Sequence, residues 1–364
     1  MPTTLLRNIL EKAVNSDASD VHIKENCPVA FRINGEMIVS DYTPDSEIIL
    51  RFMEQIASKK QIEEFDKTGD LDVSHLEDNI GRFRVNIHRQ RGVNGINCRW
   101  VKNTFMTIDK LGLPDIIQKI SEYPRGIIIL TGTTGSGKST TMAAMLEHIN
   151  TTFSKHIITI EDPIEYEFTD KNSYFEQREV GIDTENFKSA LKYATRQTPD
   201  IILIGEMRDT ETVEAAITAA ETGQLVLSTL HTIDAIQTVE RIINFFPPYQ
   251  HRQIRMQLSF ILKGVVSMRL LPLVSGEGRI PALEIMLASP TIRKLIMEGE
   301  TEKIYDAIKN SEHFGMQTFN QCVERLYKDK LISYEDALSA ADNKAEFRLR
   351  TKGIFSTSRT LKDV

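Results

Sequence analysis

An α/β fold with a parallel sheet covered by helices on both faces, preceded by a smaller α+β module, is predicted by three observations. Residues 132–139, Gly-Thr-Thr-Gly-Ser-Gly-Lys-Ser, match the pattern Gly-x4-Gly-Lys-Ser/Thr between an apolar run and a helix-spaced segment. Four short apolar runs, at 126–131, 156–161, 200–206 and 225–230, alternate with helical patterns at 137–149, 186–197 and 210–222. Near-continuous apolar strands separated by helices are the mark of a parallel sheet buried on both sides. The first hundred residues differ, with alternating strand patterns around two helical segments.

In chain order, residues 5–14 place their apolar side chains at helical spacing. Residues 20–24, 29–33 and 37–39 read as strands, with Asn34-Gly35 as the hairpin turn between the last two. Residues 47–60 predict one helix, and residues 71–73, 81–91 and 95–101 three further strands. Residues 1–101 therefore form the expected first domain. Residues 102–114 carry turn and helix-start signals at Thr107, Lys110, Gly112 and Pro114 and form the expected linker. The second domain is expected over 115–350, mostly helical after 233 around a hairpin at 268–287, with a polar tail at 351–364.

Composition narrows the function. At 364 residues, 41% hydrophobic and 26% charged, the chain has the make-up of a globular protein with two cores. No segment approaches about 18 uninterrupted apolar residues and no leader pattern opens the sequence, so a cytoplasmic protein is expected. Three cysteines, Cys27, Cys98 and Cys322, lie too far apart for a metal motif and read as buried thiols. A net charge of −7 argues against a sequence-independent nucleic-acid binder, because neutralising phosphates requires clustered Lys and Arg.

The chemistry concentrates at the ends of the predicted strands, where doubly wound sheets bind ligands. Gly132, Thr133, Thr134, Gly135, Ser136, Gly137, Lys138, Ser139 and Thr140 form a phosphate loop for a nucleoside triphosphate. Backbone N–H groups and a helix N-terminus face the phosphates, Lys138 reaches the outer ones and Ser139 can ligate Mg²⁺. The run 156–161 leads into a carboxylate cluster, Glu161, Asp162, Glu165 and Glu167, which is either a solvated loop or a means of holding Mg²⁺ or water. After 200–204 come Gly205 and Glu206, and Glu206 is either a helix cap or the general base for water attacking the γ-phosphate. His231 follows 225–230 as a structural histidine or a γ-phosphate contact. Arg82, Arg84, Arg89, Arg91 and Arg99 lie on predicted strands of the first domain, with Arg82 and Arg84 on one face. They read either as a solvated face or as groups crossing a subunit boundary.

These segments, with Ser19-Asp-Val-His-Ile23, Gln177-Arg-Glu-Val-Gly181, Gly205-Glu-Met-Arg-Asp209, Ala220-Glu-Thr-Gly223 and Thr229-Leu-His-Thr232, resemble the PilT and PilU retraction ATPases of type IV pili from about residue 5 to about 345. The resemblance implies a PAS-like first domain and a RecA-like P-loop ATPase domain. It also implies a homohexameric ring and hydrolysis of ATP with Mg²⁺ that drives pilin depolymerisation and twitching motility. Lys138 and Ser139 match the Walker A residues, Glu165 the Asp box, Glu206 the Walker B glutamate and His231 the His box. Glu165 with Ser139 would hold the Mg²⁺, and Arg82, Arg84 or Arg99 would act in trans as arginine fingers. An inner-membrane platform protein, a location at the cytoplasmic face of that membrane and a paralogous retraction ATPase are further implications. Residues 284–286 and 290–298 look like PilT, whereas 241–247 and 332–342 look more like PilU, so motor and helper both stay open. Pilus-assembly and type II secretion ATPases usually carry a four-cysteine zinc module, and residues 101–364 hold only Cys322. A nucleic-acid translocase would need a basic pore and stacking platforms, which an acidic chain with one tryptophan, Trp100, does not advertise.

Overall fold

The computed structural model describes residues 2–33, 36–101 and 105–351. Its described residues divide into two compact units. One lies within Met1–Thr104 and Pro163–Glu167, the other within Phe105–Asp162 and Phe168–Val364. Asn34-Gly35, residues 102–104 of the expected linker and residues 352–364 of the expected tail fall outside the described residues.

The first unit contains α1 (Pro2–Asn15), β1 (Asp20–Lys24), β2 (Ala30–Ile33), β3 (Glu36–Val39), α2 (Ser46–Ile56), α3 (Lys59–Thr68), β4 (Asp70–Glu77), β5 (Gly81–Gln90) and β6 (Val93–Val101). The strands form one antiparallel sheet in the order β3-β2-β1-β6-β5-β4. Alternation in β5 buries Phe83, Val85 and Ile87 in a core with Leu10, Phe52 and Phe65. The opposite face of β5 keeps Arg82 and Arg84. Arg91 and Gly92, both at positive φ, make the two-residue turn that pairs Gln90 with Val93. The single helix expected over 47–60 is in fact two. Ala57 ends α2 in an extended conformation, and Ser58 restarts the chain with a capping box to Gln61. Hydrophobic spacing alone does not register that break.

The second unit contains α4 (Asp115–Ser121), β7 (Gly126–Thr131), α5 (Lys138–Thr152), β8 (His156–Glu161), β9 (Tyr174–Glu179), α6 (Phe187–Ala194), β10 (Ile201–Ile204), α7 (Thr210–Glu221) and β11 (Leu225–Leu230). It continues with α8 (Ala235–Asn244), α9 (His251–Ile261), β12 (Leu262–Pro272), β13 (Arg279–Leu287), α10 (Pro290–Glu298), α11 (Ile304–Lys309), α12 (Phe319–Lys328), α13 (Tyr334–Ala340) and α14 (Lys344–Thr351). Its sheet runs β13-β12-β7-β11-β10-β8-β9, parallel except for the β12–β13 hairpin. Strands β7, β10 and β11 are buried along their whole length, as their largely apolar sequences require, with Thr131, Ser228 and Thr229 buried among them. Strand β9 is an addition to the expected four; its sequence, Tyr-Phe-Glu-Gln-Arg-Glu, is too polar to signal a strand and is fixed by pairing with β8. Ile108 and Leu113, within the expected linker, are buried in this unit's core. The last helices pack on β12 and β13 around Phe319, whose ring lies 3.7 Å below the Arg269 guanidinium. Among the described residues no helix is long and apolar enough to cross a membrane.

Candidate active site

The loop after β7 is shaped by three glycines at positive φ, one of which, Gly132, no other residue could replace without movement. Gly132 has φ of 142°, and a Cβ there would lie 2.5 Å from Met268 O and 2.6 Å from Ser136 Oγ. Gly135 and Gly137 are also left-handed, at 78° and 98°, and Gly137 opens α5 without a side-chain cap. The first turn of α5, where Ser139 and Thr140 sit, offers no intrahelical acceptor to its N–H groups, the arrangement by which helix N-termini receive anions. Lys138 is 8% exposed, and its Nζ donates to Gly132 O at 2.7 Å and Thr133 O at 3.0 Å. Thr133, Thr134 and Gly135 form the exposed tip of the loop. Thr131 Oγ1 and Ser136 Oγ are buried and make no hydrogen bond among the described residues. A backbone cradle that admits no Cβ at Gly132, a buried ammonium and two orphaned hydroxyls fit the phosphates of a nucleotide. Among the described residues no group of three or more His, Cys, Asp or Glu could hold a metal ion. A magnesium ion here would therefore rest on few protein oxygens, Ser139 foremost, with phosphate oxygens completing its shell.

Two strands away, Gly205 follows the end of β10, and its N–H donates to Ile160 O of β8 at 2.8 Å. A Cβ at Gly205 would meet that carbonyl at 3.3 Å, so an aspartate at this position would crowd β8. The carboxylate appears one residue later. Glu206 is ion-paired with Arg208, and its Oε2 lies 3.6 Å from His231 Nε2. The hydrogen bond to Glu206 raises the pKa of Arg208 above its usual value. Arg208 also faces Asp162 at 3.9 Å. Met207 N donates to Thr229 O at 3.2 Å and Thr229 Oγ1 to Gly205 O at 2.7 Å, which ties the Glu206 turn to the end of β11. Glu206 and His231 thus meet at the carboxyl ends of neighbouring strands, while the His231 side chain stays 55% exposed. Of the carboxylate cluster after β8, Glu161 is buried and accepts from Gln177 Nε2 at 3.4 Å.

Glu165 belongs to the first unit, where its Oε1 is 3.3 Å from Arg84 Nη1. Arg84 lies directly across from Arg99 on β6, and each arginine has its own carboxylate. Arg99 Nε donates to Asp20 Oδ1 at 2.8 Å. Burial alone would raise the Asp20 carboxyl, but hydrogen bonds from Arg99 and Ser19 outweigh it and hold it below its usual range. Arg82 donates to Ser74 Oγ at 2.7 Å.

The family model described as "Type II/IV secretion system protein" matches residues 2–328 of this chain. The chain belongs to that family. Within it, the chain is 40% identical over 353 residues to the type IV pilus ATPase PilU of Pseudomonas aeruginosa, covering 96% of this chain and 90% of the relative. It is 39% identical over 337 residues to PilT of the same organism, covering 92% of this chain and 98% of the relative. A crystal structure of the pilus retraction motor PilT with bound ADP superposes with a TM-score of 0.87 at 42% identity, over 93% of this chain and 97% of that one. This secretion-system protein is accordingly a pilus ATPase of the PilT and PilU kind.

Two features of this secretion-system ATPase were missed in sequence. Arg208 stands in the Gly205–Asp209 motif, but spacing does not tell that it pairs with Glu206. The other is Glu284, a lone acid in the apolar run Ala282-Leu-Glu-Ile-Met-Leu287; an ionisable group at the centre of a buried strand was the available signal.

Proposed function

We propose that the chain is a hexameric motor that hydrolyses ATP to power type IV pilus retraction, working at the cytoplasmic face of the inner membrane on a platform protein. The observation that carries the reading is the glycine cradle around Lys138 at the end of β7, with Glu206 at the end of β10 two strands away. The phosphates of ATP lie along the loop, and Lys138 Nζ exchanges its two carbonyl partners for phosphate oxygens. Magnesium, held by Ser139, would neutralise charge on the phosphates. Glu206 takes a proton from water as the water oxygen attacks the γ-phosphorus; the bond to the bridging oxygen breaks, and ADP carries away the electron pair. His231, beside Glu206, orients that water or the γ-phosphate. Arg82, Arg84 or Arg99 of an adjacent copy would stabilise charge on the transferred phosphoryl group. PilU-like and PilT-like segments coexist, so the chain acts either as the main motor or as a helper beside a paralogue.

The test is a strain carrying Lys138→Ala. It should keep its pili, in excess if anything, and lose twitching, while the purified variant folds but turns over no ATP. A helper's loss weakens retraction under load without abolishing it. Bald cells would assign the chain to pilus assembly instead, and wild-type turnover by the variant would remove the ATPase reading.

A further inference from the structure

We propose that Glu284 is a positioning residue for hydrolysis: its carboxylate locks the start of α8, and with it the His231–Asp234 turn, to the sheet beside the phosphate-loop strand. The inference rests on the reading of the chain as an ATPase.

Glu284 is 3% exposed in the middle of β13. A buried carboxylate is costly unless its oxygens are bonded. Here Oε1 accepts from the backbone N–H of Ala235 at 2.7 Å and from Ser267 Oγ at 3.4 Å. Ala235 is the first residue of α8 and lies four positions after His231. A helix normally satisfies its first N–H groups through its own cap or through water. Asp234 caps only Gln237 N, at 2.7 Å, and a residue from a strand 49 positions away takes the N–H of Ala235.

Strand register shows what this bond connects. Leu230, Thr131, Ser267 and Glu284 are successive neighbours across β11, β7, β12 and β13. This row is the last before the site: Gly132 follows Thr131, and His231 follows Leu230. Met268 follows Ser267, and its carbonyl is the atom that a Cβ on Gly132 would strike. Residues 267–268 therefore touch the Glu284 carboxylate on one side and the phosphate loop on the other. The turn between is also internally stiff, since Thr232 Oγ1 meets Thr238 Oγ1 at 2.6 Å and Thr238 Oγ1 donates to Asp234 O at 2.7 Å. Burial pushes the Glu284 carboxyl up to about 7, and Asp342 and Asp234 add to the rise. The contact with the Ala235 N–H needs an acceptor oxygen and not a charge, which a neutral amide also supplies.

Full-length protein tests this through steady-state hydrolysis of Mg-ATP, a nucleotide-binding titration and thermal melting. Glu284→Ala should lower kcat by about ten- to a hundredfold, the scale of a displaced catalytic group, with KM and ADP affinity held within about threefold. Glu284→Gln should restore most of that loss. Ala235→Pro removes the donor by another route. Proline suits the first helical position, and Asp234 before it is extended, with φ −152° and ψ 172°. It should lower kcat as Glu284→Ala does, and the double variant should be no worse than either single one. Wild-type kcat in a folded Glu284→Ala or Ala235→Pro protein overturns the proposal, as does a Gln variant as slow as the Ala variant, or additive losses. If Glu284→Ala fails to fold, Ala235→Pro and Glu284→Gln carry the decision. Failure of the underlying reading looks different: the wild type would then show no turnover sensitive to Lys138→Ala.

Discussion

Lys138 Nζ donates to two carbonyls of its own loop, Gly132 O and Thr133 O, so the free chain keeps its ammonium bonded in the place where phosphates would recruit it. Glu206 is likewise held ready, between Arg208 and His231. Replacing it by Gln keeps the shape and removes the carboxylate proposed as the base. ADP and ATP affinity should persist while hydrolysis falls by about a hundred- to ten-thousandfold, measured by binding titration and single-turnover assay. Joint loss of binding and turnover would make Glu206 a structural or metal residue and shift the search for the base to Glu165. Glu284 gives a pH prediction at the same scale. Its carboxyl ionises at about 7 in the fold because it is buried, against the ordinary 4.5. Between those values the folded chain holds the proton that the unfolded chain has lost, so stability falls as pH rises through the window. Glu284→Gln removes the titration. From pH 5 to pH 8 the wild type should lose stability relative to the variant, by at most on the order of 3 kcal/mol. Parallel melting temperatures for the two proteins across that range would contradict it.

At the scale of elements, the second unit is organised by where strands stop. Strands β7, β10 and β11 are short apolar runs, and each releases a polar segment at its carboxyl end. The phosphate loop illustrates how two glycines with similar φ signs differ in physical role. Gly135 has nothing within 4 Å of a would-be Cβ, whereas Gly132 faces the Met268 carbonyl at 2.5 Å. Gly135→Ala should cost only backbone strain, about 1–2 kcal/mol. Gly132→Ala adds a clash with β12 that cannot relax without moving the strand. It should melt at a lower temperature than Gly135→Ala and lose nucleotide binding entirely, and equal melting temperatures would show that β12 yields.

For the whole molecule, the arginines of the first unit frame the question of assembly. In the single chain Arg84 is paired with Glu165 and Arg99 with Asp20. The Arg84–Glu165 pair is partly exposed on both sides, and a pair of this kind contributes little to stability, whereas the Asp20 partner of Arg99 is buried. If one of these arginines serves the site of a neighbouring copy, turnover per subunit should rise with protein concentration as rings form, followed by activity and light scattering together. Mixing Glu206→Gln chains with Arg84→Ala or Arg99→Ala chains should then restore hydrolysis at interfaces where intact partners meet. A specific activity that stays constant from monomer to ring would exclude action in trans.

The sequence by itself determined the alternation of strands and helices, the phosphate loop and the residues that end each strand, because each is a local property: period, glycine spacing and an apolar run cut by a charged residue. It missed the break at Ala57–Ser58, where a cap competes with helical spacing, and β9, whose polar residues pair only because β8 is beside them. Only the tertiary structure decided the partners of the charged groups. Glu206 meets Arg208 and His231, and Glu165 meets Arg84. Glu284 finds a backbone N–H from a distant helix, through a register that sets the β12–β13 hairpin beside β7 and β11 from much earlier in the chain. Such contacts depend on which strands lie side by side, and sheet order is set by packing of the whole core rather than by any window of sequence.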